Sequence, residues 1–337
     1  MEPLHFSFII PVYNRPNEID ELLGTFTTLK FNNDFEIVIV EDGSEMDCKS
    51  VIEKYTSLLN IVYFFKPNSG PGDSRNYGMQ RATGNYFIIL DSDCLLPENY
   101  LITVKDNLSA TFTDCYGGPD AAHASFSNLQ KAINFSMTSF LTTGGIRGNK
   151  KTPQNFQPRS FNMGISKNAF EVSGGFGNIH PGEDPDLAIR LKKLGFKTKY
   201  IDEAYVYHKR RISWSKFYQQ VYKFGLVRPI LNHWHPETER LVFWFPTLFC
   251  FGLIVTLLLL IFGIIWPIVL YALYVGAVFF VAFFTSGHLI VAMQSVVAIF
   301  IQFFGYGYGF LKSTITLKSS SKSPNQQFPH LFFENGK

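Results

Sequence analysis

The sequence predicts an α/β domain, a mainly parallel sheet flanked by helices, followed by a C-terminal helical membrane region. Three observations predict it. Four apolar runs of strand length alternate with helical periodicity, each run ends in polar, turn-forming residues, and the 71 residues from Leu241 to Leu311 contain no Asp, Glu, Lys or Arg.

The runs are residues 5–13 (HFSFIIPVY), 35–41 (FEIVIVE), 60–66 (NIVYFFK) and 85–91 (NYFIILD). Continuous apolar stretches of this length are the pattern of strands buried on both faces. Between the first two, Pro16 suits the first turn of a helix, and Ile19, Leu22, Leu23, Phe26 and Leu29 recur at helical spacing. Val51, Ile52, Tyr55 and Leu59 repeat that spacing before the third run. Strands alternating with helices build right-handed βαβ units and a parallel sheet.

A chain of 337 residues suits one such domain and an appendage. The charge-free run would make roughly 106 Å of helix, against a bilayer core of about 30 Å. The expected division is a soluble domain at 1–235, a membrane region of two or three hydrophobic helices at 236–312 and a flexible polar tail at 313–337. Breaks at Gly263 to Pro267 and Thr285 to His288 divide the run into spans near 242–263, 266–285 and 289–311. Basic residues gather before it (Lys209, Arg210, Arg211, Lys216, Lys223, Arg228, Arg240) and after it (Lys312, Lys318, Lys322). The positive-inside rule then places both ends in the cytoplasm, which needs an even number of crossings. The third segment, with Gln294, Gln302 and the glycines of Gly305 to Gly309, is accordingly expected to lie in the interface or re-enter, three full crossings being the alternative.

The net charge of +3 makes no case for a nucleic-acid partner. Aromatic residues make up 16% of the chain, and many of the 35 Phe crowd into its last third, a bias toward lipid contact. Cys48, Cys94, Cys115 and Cys250 match no zinc spacing and read as reduced thiols. Phe6 to Val12 has neither the basic flank nor the small-residue site of a cleavable signal, so the first domain is expected to face the cytoplasm of an integral protein of the plasma (inner) membrane.

Ligands of parallel α/β sheets sit beyond the carboxyl ends of the strands. Here those ends carry Asn14-Arg15, Glu41-Asp42-Gly43-Ser44, Lys66 to Gly70 and Asp91-Ser92-Asp93. On an extended chain Asp91 and Asp93 would point the same way, and two such carboxylates suit Mg²⁺ or Mn²⁺, hard cations that bridge phosphates. A solvated turn is the alternative for Asp-x-Asp, and its place at a strand end followed by Pro97 and a helix favours the metal site. Asp42 can accept hydrogen bonds from a base or ribose, or cap the following helix, a role that suits Ser44 better. The Gly-rich stretch from Asn68 to Gly78 opens a helix, and its Arg75 can pair either with a diphosphate or with Asp73 or Asp91. Glu183 and Asp184 precede a helix and can be dipole-complementing acids or a general base for a sugar hydroxyl. His208 can complete a metal site or end a surface strand near lipid headgroups.

Taken together, Pro11-Val12-Tyr13-Asn14-Arg15, Glu41-Asp42-Gly43-Ser44, Ala82-Thr83-Gly84 leading to Asp91-Ser92-Asp93, Asn162-Met163-Gly164, Gly174-Gly175-Phe176 and Glu183-Asp184 resemble a family 2 glycosyltransferase of the GT-A fold, which is Rossmann-like. The resemblance spans about residues 5–230. It implies an inverting transfer from a nucleoside-diphosphate sugar, UDP- or GDP-linked, with Mg²⁺ or Mn²⁺. It implies nucleotide contacts from Pro11, Tyr13, Asn14, Glu41, Asp42, Asn68, Arg75 and Asp91. It makes Asp93 the principal metal ligand, with Asp91 near the ribose or metal and His208 as a further ligand, and Asp184 the general base beside Glu183. Gln220 and Arg228 depart from the Gln-x-x-Arg-Trp motif of processive synthases, which favours adding one sugar or a few to a lipid-linked or membrane-proximal glycan acceptor. A processive polysaccharide synthase and a non-catalytic nucleotide-sugar-binding subunit of a membrane complex are the alternative readings. A nucleotidyltransferase would carry a Gly-rich triphosphate loop after the first strand, where Pro11 to Pro16 has no glycine, and a transporter would need more spans.

Overall fold

The computed structural model describes residues 3–31, 34–121, 123, 125–144, 156–209 and 213–333. In chain order the sheet elements and their helices are β1 (Phe6–Val12), α1 (Pro16–Phe26), β2 (Glu36–Asp42), α2 (Lys49–Glu53), β3 (Ile61–Lys66), α3 (Pro71–Arg81), β4 (Tyr86–Leu90), β5 (Cys94–Leu95), α4 (Tyr100–Ala110), β6 (Cys115–Gly117) and β7 (Asp120–Ala121). There follow α5 (Asn128–Thr138), α6 (Phe140–Thr143), β8 (Asn162–Ser166), α7 (Lys167–Ser173), α8 (Glu183–Lys193), β9 (Thr198–Tyr200), β10 (Val206–His208) and α9 (Trp214–Trp234). The chain closes with α10 (Phe245–Ile261), α11 (Trp266–Ser286), α12 (Leu289–Ser319) and α13 (Pro324–Gln327).

Two compact units form, and neither is one continuous segment. The sheet unit comprises residues 1–123, 147–209 and 332–337, and the helical unit 124–146 and 210–331. The expected boundary at 235 is therefore displaced. Residues of α9 leave the sheet domain because Phe217 and Val221 bury themselves with Ile133 and Met137 of α5 and Ala298 of α12.

In the sheet unit a seven-stranded sheet has the order β3-β2-β1-β4-β8-β6-β9. β3, β2, β1 and β4 run parallel, and β8 is the one strand reversed against its neighbours β4 and β6. The alternation of the pleat sends Phe8, Ile10, Ile37 and Ile39 to one face, where Leu22, Leu23 and Phe26 of α1 and Leu101 and Val104 of α4 cover them. Ile9, Val38 and Val40 face the other side, against Met79 of α3 and Leu187 and Leu191 of α8. Burial on both faces explains the unbroken apolar runs, each such side chain contributing about 1.5–3 kcal/mol of transfer free energy. A second sheet, β5-β10-β7, sets β10 antiparallel to β5 and so places His208 opposite Cys94.

In the helical unit three segments are long and apolar enough to cross a membrane: Leu241–Ile261, Trp266–Ser286 and Leu289–Ser319. The third is one unbroken helix of 31 residues, about 46 Å long, so its glycines do not interrupt it. They serve packing instead. A Cβ on Gly225 of α9 would lie 2.2 Å from the Tyr306 carbonyl oxygen, and one on Gly309 2.4 Å from that of Tyr222, so α9 and α12 approach closely only with glycine at both positions. The expected polar tail from 313 is likewise corrected. Helix α12 continues to Ser319, because Ser313 buries within the unit and Thr314 donates its hydroxyl to the Phe310 carbonyl at 2.7 Å. Beyond it, α13 begins with a capping box from Ser323 and Gln326.

Candidate active site

The polar strand ends divide into residues that build loops and residues that face one another as charges. Asn14 builds. It adopts a left-handed φ of 54°, which Asn tolerates, and its Oδ1 accepts from the backbone N–H groups of Glu45 and Met46 at 2.9 and 3.0 Å. Its own N–H donates to Ser44 Oγ at 2.7 Å. Glu41 is fully buried and accepts from the Ser44 hydroxyl, the Cys48 N–H at 2.9 Å and the Cys48 thiol at 2.8 Å, so its carboxylate serves the β2–α2 turn. Pro11 lies within β1, in register with Val40, and Tyr13 just after it is 53% exposed.

Asp42 is buried and organises the loop after β3. Its Oδ1 accepts from Lys66 Nζ at 2.7 Å and the Ser69 N–H at 3.0 Å, and its Oδ2 from the Gly70 N–H at 3.0 Å. Asn68 donates from its side chain to the Asp42 carbonyl at 2.9 Å. Asp42 and Asn68 are thus adjacent, with Lys66 between Asp42 and Asp73, to which it is paired at 3.2 Å.

Arg75 is 3% exposed and joins two carboxylates, Asp91 at 2.7 Å and Glu183 at 2.9 Å. Two carboxylates on one fork hold all three side chains in place. Glu183 also lies 3.1 Å from His180 Nδ1. Burial alone would raise the Glu183 carboxyl, but His180 and Arg75 outweigh it and hold the group well below the usual carboxylate range. Its neighbour Asp184 moves the other way. Burial and the nearby charge of Glu183 raise it above the usual aspartate range, although Arg159, 3.7 Å away, opposes the rise. Glu183 is thus held by Arg75 and His180, while Asp184 meets Arg159 and the Ser160 N–H at 3.4 Å.

Asp93 faces Arg15 at 2.6 Å through Oδ2 and His208 Nε2 at 3.1 Å through Oδ1. The His208 ring stacks on Phe161 with centroids 4.7 Å apart. Asp93, Cys94 and His208 form a group whose ligand atoms lie within 4.8 Å of one another. The fit to a divalent cation follows from geometry. Cis ligands at about 2.1 Å from an octahedral ion are about 3.0 Å apart, close to the 3.1 Å between Asp93 Oδ1 and His208 Nε2. Cys94 is buried and offers its thiol to the Phe161 carbonyl at 3.4 Å, and a soft thiol is a poor ligand for a hard cation.

One premise of the sequence reading needs correction. β4 ends at Leu90, and residues 91–93 form a turn closed by the Cys94 N–H on the Asp91 carbonyl at 3.1 Å. Strand alternation therefore does not align Asp91 with Asp93. The turn gives Asp91 to Arg75 and Asp93 to Arg15 and His208. Sequence reasoning also passed over Arg15, Lys66, Arg159 and His180. Arg15 and Lys66 stood at strand ends already singled out, and His180 lies three residues before Glu183, whereas Arg159 belongs to none of the motifs named above. Residues 145–155 lie outside the described residues, as do Arg210 and Arg211.

A mixed, mainly parallel sheet with charged residues gathered at the strand ends defines an α/β protein whose polar cluster lies where such sheets bind ligands. The glycosyl transferase family 2 model matches residues 7–173, and the chain belongs to that family through this domain. Over 114 residues the chain is 36% identical to the poly(ribitol-phosphate) beta-N-acetylglucosaminyltransferase TarS of Staphylococcus aureus, a match covering 33% of this chain and 19% of TarS. Over 235 residues it is 25% identical to the chondroitin synthase of Escherichia coli, covering 60% of this chain and 34% of that protein. The chain thus spans well under two thirds of either relative. Among solved structures, the mannosyltransferase PcManGT from Pyrobaculum calidifontis in complex with GDP-Man and Mn²⁺ superposes with a TM-score of 0.58 at 14% identity, covering 94% of this chain and 89% of that one. That likeness supports the GT-A fold.

Proposed function

We propose that the protein is an inverting glycosyltransferase that moves a sugar from a UDP- or GDP-linked donor to a glycan acceptor held at the membrane. The observation that carries the reading is the placement of Asp184 at the start of α8 beside Glu183, which Arg75 and His180 hold at 2.9 and 3.1 Å. In a direct displacement the acceptor hydroxyl attacks the anomeric carbon, its proton passes to Asp184, and the bond to the diphosphate breaks with inversion. Arg75 anchors Glu183 so that Asp184 stays fixed at the start of α8. The relatives named above act on poly(ribitol-phosphate) or make chondroitin, and the structural neighbour was solved with GDP-Man, which supports a nucleotide-sugar donor and a glycan acceptor.

Asp93 and His208 are the residues that would hold Mg²⁺ or Mn²⁺, with Asp91 on the same turn, and the ion when bound would neutralise charge on the departing diphosphate. Arg15 keeps the Asp93 carboxylate oriented meanwhile. On the nucleotide side, Asp42 and Asn68 present the loop after β3 for contact with the base, and Tyr13 offers an exposed ring at the end of β1.

The three apolar helices support an integral membrane protein, and the basic residues that flank them are the ground for proposing the plasma membrane with the sheet unit on the cytoplasmic side. Basic residues gather before the apolar run and after it, which favours an even number of crossings with the third helix lying in part in the interface. The reading is tested by incubating the purified chain with a panel of nucleotide sugars and native membranes, with and without Mn²⁺. Metal-dependent release of nucleoside diphosphate from one donor is expected; no release from any donor would overturn the proposal.

A further inference from the structure

The pair Phe332-Phe333 reaches the machinery just described without belonging to any motif. Phe332 forms an antiparallel bridge with Ile179, and the Phe333 N–H donates to the Asn178 carbonyl at 3.0 Å. The Asn178 side chain returns a hydrogen bond to the Phe333 carbonyl at 3.2 Å. The segment leading to Glu183 is thereby tied by backbone pairing to a remote part of the chain. That segment has little stiffness of its own, since Gly174, Gly175, Gly177 and Gly182 punctuate it.

The Phe333 ring makes two further contacts. Its centroid is 6.2 Å from that of His180, whose Nδ1 lies 3.1 Å from Glu183. It also covers Gly70, where an added Cβ would meet the ring at 2.4 Å and where φ is +93°. Gly70 is the residue whose N–H donates to Asp42 Oδ2 at 3.0 Å. One aromatic ring thus touches both the turn built on Asp42 and the histidine that pairs with Glu183.

We propose that Phe332-Phe333 is a strap that holds residues 178–182 against the Gly70 turn, with Phe333 a positioning residue for Asp184. It acts through the backbone of Asn178 and Ile179 and through His180 on Glu183, and so sets where the adjacent carboxylate stands. The kinetic part rests on the reading of Asp184 as the base given above. A misplacement of about 1 Å at such a group costs on the order of a hundredfold in rate.

The test compares wild type, Phe333→Ala, Phe333→Tyr and a deletion of 332–337, each as the membrane-extracted chain. The first measurement is hydrogen exchange, which needs no activity. Phe333→Ala and the deletion are expected to speed exchange at Ile179, Glu183 and Asp184 by roughly tenfold or more, with α4 unchanged. Unchanged exchange at those amides, or equal acceleration in α4, would overturn the strap. The second is kinetic. In Phe333→Ala, kcat is expected to fall roughly ten- to a hundredfold with the donor KM within about threefold of wild type, and Phe333→Tyr to restore most of it. Faster local exchange with unaltered kcat would overturn the positioning role. If wild type turns over no nucleotide sugar, the proposed function fails, while the exchange result still decides the strap.

Discussion

Replacing Arg75 with Met removes the cation that joins Asp91 and Glu183 and puts a long apolar side chain in its place. The guanidinium is 3% exposed and lies 2.7 and 2.9 Å from the two carboxylates. At an effective dielectric of about 20, each contact is worth about 6 kcal/mol of gross Coulomb energy. Desolvation of Arg75 and Glu183 offsets much of this, and removing one member of a buried ion pair costs about 3–5 kcal/mol net. For a domain of this size that is a fall in melting temperature of roughly 6–20 °C. The assay is thermal unfolding of the detergent-solubilised chain by intrinsic fluorescence. The double variant Arg75→Met/Glu183→Gln should lose less than the sum of its singles, because Gln leaves no uncompensated charge. Melting of Arg75→Met within about 2 °C of wild type, or strict additivity in the double variant, would refute the triad as a supporting element.

Three other outcomes follow from the same geometry. The Asp184 carboxyl is raised by burial and by Glu183, so the acid limb of the rate–pH profile should lie above the range of an ordinary aspartate, about 3.9, with activity rising as Asp184 ionises; Arg159→Gln should move the limb further up, and a limb that does not move would separate Arg159 from Asp184. Asp93→Ala should abolish the Mn²⁺-dependent part of nucleotide binding measured by calorimetry, and binding that remains equally metal-dependent would exclude Asp93 and His208 as the ligand pair. A single cysteine at Ser320, with the four native cysteines replaced, should resist an impermeant thiol reagent in intact bacterial host cells and react after lysis; labelling in intact cells would place the end of α12 outside and contradict an even number of crossings.

The parallel core was legible because strands buried on both faces leave an unbroken apolar signature, and β1 to β4 form within a residue or two of the runs that announced them. The reversed strand β8 was not, since Asn162 to Ser166 mixes polar and small residues that bury only through long-range pairing with β4 and β6. The charged members of the site were visible as residue types at strand ends, but not their partners. Whether Arg75 would meet Asp91, Asp73 or a diphosphate depends on a turn at 91–93 that periodicity does not encode. The glycines of α12 were ambiguous for a related reason. Read locally they weaken a helix, whereas packed on α9 they are what allows it to approach. Phe333 carried no local signal at all, because its role exists only where the chain end meets Gly70 and His180.

The central claim is that Asp184 takes the proton of the acceptor hydroxyl. It is tested most directly by Asp184→Asn, assayed for sugar transfer from the donor found in the nucleotide-sugar panel and, on the same sample, for donor binding in Mn²⁺. The account predicts transfer lowered by roughly 10²–10⁴-fold, the usual contribution of a positioned base, with donor affinity preserved. Transfer near the wild-type rate in that variant would contradict it.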